Sequence, residues 1–124
     1  MKYGIVSRID DGAFRYQAWP TVARAKDGTL FVGCSGHRIG HFCPFGKNYL
    51  YESHDEGETW IGPRIISDSY LDDRDVGLLA WGESKLLMCS CNHSPEQYLE
   101  WDAKTATRPI TWHHCLSACS CPVF

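Results

Sequence analysis

With 124 residues the chain is long enough for one ordinary domain and too short for two. Hydrophobic residues at 44% and charged residues at 22% exclude a disordered polymer. A net charge of −3 with no basic stripe argues against a nucleic-acid partner. The start, Met1 to Arg8, lacks the apolar core and small-residue cleavage site of a signal peptide. No apolar run approaches the roughly 20 residues of a membrane helix, so no membrane partner is expected. A cytoplasmic location is the default expectation, with secretion of a longer parent left open. The seven cysteines are then expected as reduced thiols, Cys34 and Cys89 among them as buried strand residues.

Strand signals recur along the chain. Thr21 to Arg24 and Thr29 to Ser35 flank Lys26-Asp27-Gly28, and an Asp-Gly turn between apolar runs predicts a hairpin. Asn48 to Ser53 is the third predicted strand, and Arg64 to Ser67, after Gly62-Pro63, is the fourth. The pattern then restarts: Val76 to Ala80, a turn over Trp81 to Ser84, and Lys85 to Ser90. Sliding the first hairpin forward by 55 places Cys34-Ser35 on Cys89-Ser90 and Trp19-Pro20 on Arg74-Asp75. Four strands per unit at a period near 50 predict an all-β chain of propeller type.

Between the third and fourth strands lies Ser53-His54-Asp55-Glu56-Gly57-Glu58-Thr59-Trp60. It fits S-x-D-x-G-x-T-W at every defined position. Asp55 is suited to accept N–H groups of its own turn, and Gly57 to take a positive φ. Ser53 and Thr59 are suited to bond across the hairpin ends, and Trp60 to pack as a large apolar face. A calcium loop is disfavoured, because that pattern needs alternating Asp or Asn before its glycine.

On these residues the chain resembles the Asp-box (BNR) repeat proteins, chiefly the sialidases, over about residues 14 to 95. The resemblance implies about two blades of a six-bladed β-propeller. The first blade would cover about 14–67 with the Asp box, and 72–100 would start the second. It also implies that the Asp box lies away from the active site, so that Asp55 is structural.

Sialidases hold the substrate carboxylate with three arginines and use a Tyr–Glu nucleophile with an Asp as acid/base; arginine suits the task because its planar fork grips a carboxylate with two bonds. Ala18 stands where the family has its first arginine. Arg38, after the second strand, is the first candidate for substrate binding. No Asp or Glu occurs between Gly28 and Tyr51, so His37 and His41 are candidates for proton chemistry and substrate contact. Leu71-Asp72-Asp73-Arg74-Asp75 is the second candidate site, with Arg74 binding an anionic or hydroxyl-rich ligand. Asp72, Asp73 or Asp75 would position a sugar hydroxyl or act as acid/base, Asp75 being the catalytic candidate. The competing reading is an Arg–Asp pair that satisfies only itself.

The expected function is that of a sialidase-like glycoside hydrolase fragment of exo-α-sialidase type. It would act on terminal sugars of glycans and be inactive alone, because the nucleophile Tyr and the full arginine set are not identifiable. The alternatives are a lectin-like carbohydrate-binding module that closes a ring by homo-oligomerising, and a ligandless structural repeat. The ligand is expected to be a glycan or sialoside, with no cofactor. The stretch 101–124 departs from the pattern, as a truncated or frame-shifted end would. It contains His113, His114, Cys115, Cys119 and Cys121 but lacks paired zinc-ligand spacing, so no metal is expected.

Overall fold

A computed structural model describes residues 3–10, 12–83, 85–94 and 96. Their strands are β1 (Tyr16–Arg24), β2 (Leu30–Arg38), β3 (Lys47–Ser53), β4 (Ile61–Ser67), β5 (Asp72–Trp81) and β6 (Lys85–His93). β1 to β4 form one antiparallel sheet in chain order, and β5 and β6 form a second, two-stranded one. Neither sheet closes on itself among the described residues. The tail 101–124, with its His and Cys residues, and the part of the second unit beyond residue 96 lie outside the described residues, as does Ser84 of the second turn.

The first hairpin turns where Asp27 accepts the Thr29 N–H at 2.9 Å and Gly28 takes φ +94°. β1 begins five residues before the expected Thr21, because a bulge carries the strand past Pro20. Ala18 pairs with Ser35 and Thr21 with Gly33, so the Trp19–Pro20 step has more residues on β1 than on β2. A proline has no N–H to give a ladder, and a bulge is where a strand tolerates one. β4 likewise starts at Ile61 instead of Arg64, taking in Gly62-Pro63. It is the outer strand of its sheet, where a missing donor is harmless.

The second hairpin repeats the first with a constant offset of 56, one more than the alignment of Cys34 on Cys89 implies. The pairs Ala18–Ser35, Thr21–Gly33, Val22–Val32, Ala23–Phe31 and Arg24–Leu30 recur as Arg74–Cys91, Gly77–Cys89, Leu78–Met88, Leu79–Leu87 and Ala80–Leu86. The bulge recurs as well: Trp19 has φ +52° and Asp75, its equivalent, φ +55°. On this offset Arg74 is the counterpart of Ala18, and Asp75 that of Trp19.

The sheets pack through one face of each. Phe31, Leu50, Arg64 and Ile66 from the first face Leu78, Leu86 and Met88 from the second. Gly33 sits where a Cβ would come within 2.6 Å of Val76 Cγ1, so a side chain there would push β5 off β2. The far face of the first sheet holds a cluster of Val32, Cys34, Tyr49 and Tyr51, against which Val6, Ile9 and Trp60 pack. Burying a Val-sized side chain contributes roughly 1.5–3 kcal/mol. The same burial pushes the Cys34 thiol up to about 11, whereas Cys89 is only half-buried. Ser7 fastens the N-terminal arm, its Oγ lying 2.9 Å from Tyr51 Oη and 3.2 Å from Gln17 Nε2.

The β3–β4 connection is closed by its own side chains. Asp55 accepts the Thr59 N–H at 2.9 Å and the Thr59 hydroxyl at 2.6 Å. Ser53 Oγ donates to Asp55 at 2.8 Å and accepts the Gly57 N–H at 2.9 Å. Gly57 has φ +85°. Trp60, half-buried, donates its indole N–H to the Gly57 carbonyl at 3.2 Å. The Thr59 hydroxyl, then the Thr59 N–H and the Ser53 hydroxyl, hold the Asp55 carboxyl down at about 2.

Candidate functional site

The hairpin of Asp55 and the candidate ligand-facing residues lie at opposite ends of β2. Leu30 pairs with Ser53 at one end and Arg38 closes the other, about 27 Å away at the rise of an extended strand.

Arg38 is fully buried, and each of its five N–H donors has an acceptor. Its two terminal nitrogens meet the two oxygens of Asp72 at 2.5 and 2.8 Å. The remaining bonds go to the carbonyls of Asp73 (3.3 Å), His41 (2.9 Å) and Gly40 (3.4 Å). Asp72 is also fully buried. Gly46 lies against this pair, and a Cβ there would collide with Asp72 Oδ1 and Arg38 Nη1. Arg38 therefore joins β2 to β5 and fixes the backbone of the Gly40–His41 loop. Every N–H donor of Arg38, a sequence candidate for substrate binding, is thus taken up within the protein.

Arg74 is the opposite case. It is 4% exposed, yet its Nε has no hydrogen-bond partner. Asp75 lies 3.5 Å from that Nε and Asp72 3.8 Å from Nη1, close enough for attraction but not for a tight pair. The guanidinium sits over the Trp19 ring at 4.5 Å and the Phe42 ring at 5.6 Å, in cation–π contact with both. The self-contained Arg–Asp pair that the sequence left open for Arg74 is present only as these loose contacts to Asp75 and Asp72, whereas the tight Arg–Asp pair is made by Arg38 with Asp72.

His41 meets Trp19 and Phe42 edge-on, with centroids at 4.9 and 4.6 Å. Burial first, then the charges of Arg74 and Arg38, lower its pKa, so the ring is neutral near neutral pH. His93, across the ladder from Asp72, is lowered by burial and by Arg74. Asp75 turns outward: its N–H is held by Ser35 Oγ at 2.9 Å, and its side chain is 46% exposed. Its neighbour Asp73 is occupied elsewhere, accepting from Ser67, Ser69 and Asn92 and so tying down the β4–β5 connection.

The structure thus brings Arg74, Asp75 and His41 together and leaves His37 apart. His37 stacks on Phe14 with centroids 4.3 Å apart. Trp19, Phe42, His93 and the clamping role of Asp72 were not singled out by sequence reasoning. The available signal for Trp19 was its place before a proline in a strand, the mark of a bulge that re-aims a side chain. Trp19, His37 and Asp75 all take positive φ, a backbone state that side chains disfavour and that gathers at ligand sites.

Among the described residues no group of three or more His, Cys, Asp or Glu side chains could hold a metal ion, and no helix is long and apolar enough to cross a membrane. Chemically, the cluster offers a caged cation with an unused donor, two aromatic faces, a neutral imidazole and one outward carboxylate. No family model matches the chain, and no curated protein matches it.

Proposed function

We propose that this chain forms part of the sugar-binding face of a sialidase-type glycoside hydrolase, one blade and the start of the next in a six-bladed propeller. The ligand is a terminal sugar bearing a carboxylate. The observation that carries this reading is Arg74: a buried guanidinium with an orphan Nε, walled by Trp19 and Phe42. A planar donor suits a carboxylate, and aromatic faces suit the C–H face of a sugar ring. Asp75 is the group to move a proton at the glycosidic oxygen, and His41 contributes a hydrogen bond to a hydroxyl. Arg38 and Asp72 hold the frame. The hairpin around Asp55 is consistent with the same family and plays no part in binding.

The test is NMR titration of the labelled chain with N-acetylneuraminic acid and with 3′-sialyllactose, with lactose as the neutral control. Saturable shifts at Trp19 and His41 are expected with the two acids only. Arg74→Ala should weaken binding about tenfold or more, the value of a charged hydrogen bond, with strand content unchanged. Equal affinity in the variant refutes the assignment.

A lectin-like module that binds without turnover is the second reading. Asp75 is the one carboxylate that the cluster turns outward among the described residues, whereas glycoside hydrolysis by acid and base draws on two groups. A fluorogenic sialoside separates the two readings. Turnover that disappears in Asp75→Asn supports the hydrolase. A hydrolase fragment is also expected to bind without turnover, so the lectin is supported only if a protein that carries this chain together with the remaining blades binds the sialoside and does not turn it over.

A further inference from the structure

The contact between the two sheets has two halves, and the constant offset of 56 shows where each half recurs. One half is the first-sheet face carrying Ala23, Phe31 and Gly33; the other is the second-sheet face carrying Val76, Leu78, Leu86 and Met88. Moved forward by the offset, Ala23, Phe31 and Gly33 become Leu79, Leu87 and Cys89, on the outer face of β5–β6. Directly paired residues share a sheet face, so Leu79 and Leu87 form one apolar patch, which Trp81, two residues along, extends. Ala23 is 9% exposed, whereas Leu79 is 59% and Trp81 61% exposed. Among the described residues nothing covers this patch.

Moved backward by the offset, Val76, Leu78, Leu86 and Met88 become Pro20, Val22, Leu30 and Val32, on the far face of the first sheet. Val22 is 64% exposed there, and Val32 lies beneath Val6 and Ile9 of the N-terminal arm. The described residues therefore carry, on two separate faces, both halves of a joint that they already make internally.

We propose that the outer face of β5–β6 docks a second copy of this chain, head to tail, through the Val22 face of that copy's first sheet. The arm over Val32 swings aside as the copies join. Such a joint is heterologous: each copy uses two different faces, and addition does not stop at two. The inference rests on the repeat and not on the sugar, so it stands or falls separately from the ligand assignment.

Sedimentation velocity in reducing buffer, from about 1 μM to about 1 mM chain, tests it. The native chain should grow in mass with concentration beyond a dimer. Leu79→Lys and Val22→Lys, both at exposed positions, should each remain monomeric. An equimolar mixture of the two should give a single one-to-one dimer, because one intact half survives on each variant. Circular dichroism checks that the variants are folded, and Leu79→Asp with Val22→Asp replaces a pair that is not. A native chain that stays monomeric throughout, a variant that associates as the native chain does, or a mixture that stays monomeric overturns the proposal.

Discussion

The two ends of the first sheet are built by opposite means. At the Asp55 end the hairpin's own bonds are local: Ser53, Asp55, Gly57 and Thr59 satisfy one another within a stretch of seven residues, and Arg24 with Glu56 and Thr29 with His54 tie that hairpin to the first one. At the Arg74 end they are long-range, with Arg38 reaching Asp72 and Asp75 reaching Ser35. Non-glycine residues at positive φ occur at both ends, Glu56 at the first and Trp19, His37 and Asp75 at the second, but the second also holds a buried Arg74 Nε that makes no hydrogen bond and meets Asp75 only at 3.5 Å. A closed end stabilises a fold, and an end with a buried donor that no hydrogen bond satisfies is where a ligand finds something to bind.

The sharpest way to break this contrast is at the clamp. Asp72→Ala leaves the fully buried Arg38 cation without its carboxylate and should cost about 3–5 kcal/mol in urea unfolding. A loss under about 1 kcal/mol would mean that the long-range end is not held by this pair. Trp60→Ala comes next, at about 3 kcal/mol, the low end of the range for buried tryptophan because the ring is only half-buried. An unchanged denaturation midpoint would remove Trp60 from the packing of the Asp55 end.

A smaller effect comes from Asp55 itself. Its folded pKa, about 2, lies below the ordinary 3.8. Its stabilising contribution is therefore present above pH 3.8 and is lost as pH falls through about 2. The melting temperature of Asp55→Asn should lie below that of the native chain near neutrality, and the gap should narrow on acidification to about pH 2. A constant gap would show that the carboxylate is not the group responsible. The smallest effect concerns His41. Arg74→Met removes a charge that depresses the imidazole, so its pKa by NMR should rise while staying below 6.5, because burial is the larger cause. A fall would contradict the placement of Arg74 beside it.

The same division explains what the sequence disclosed. The Asp27-Gly28 turn and the Asp55 hairpin were readable because their determinants lie within a few residues. The starts of β1 and β4 were misplaced because Pro20 and Pro63 look like breaks, when one lies in a bulge and the other on an outer strand. The repeat was visible as a strand–turn–strand order, but its spacing came out one residue short, since matching cysteines weighed more than the pairing of backbones. Nothing local announced that Arg38 would be exhausted by Asp72, 34 residues on, or that Arg74 would inherit the rings of Trp19 and Phe42.

Gly46 carries a consequence for how this chain tolerates change. With Asp72 Oδ1 and Arg38 Nη1 lying where its Cβ would go, even a methyl group must dislodge a buried ion pair. A saturation screen should therefore find a single permitted letter at this codon, while the exposed Pro44 and Phe45 beside it accept many.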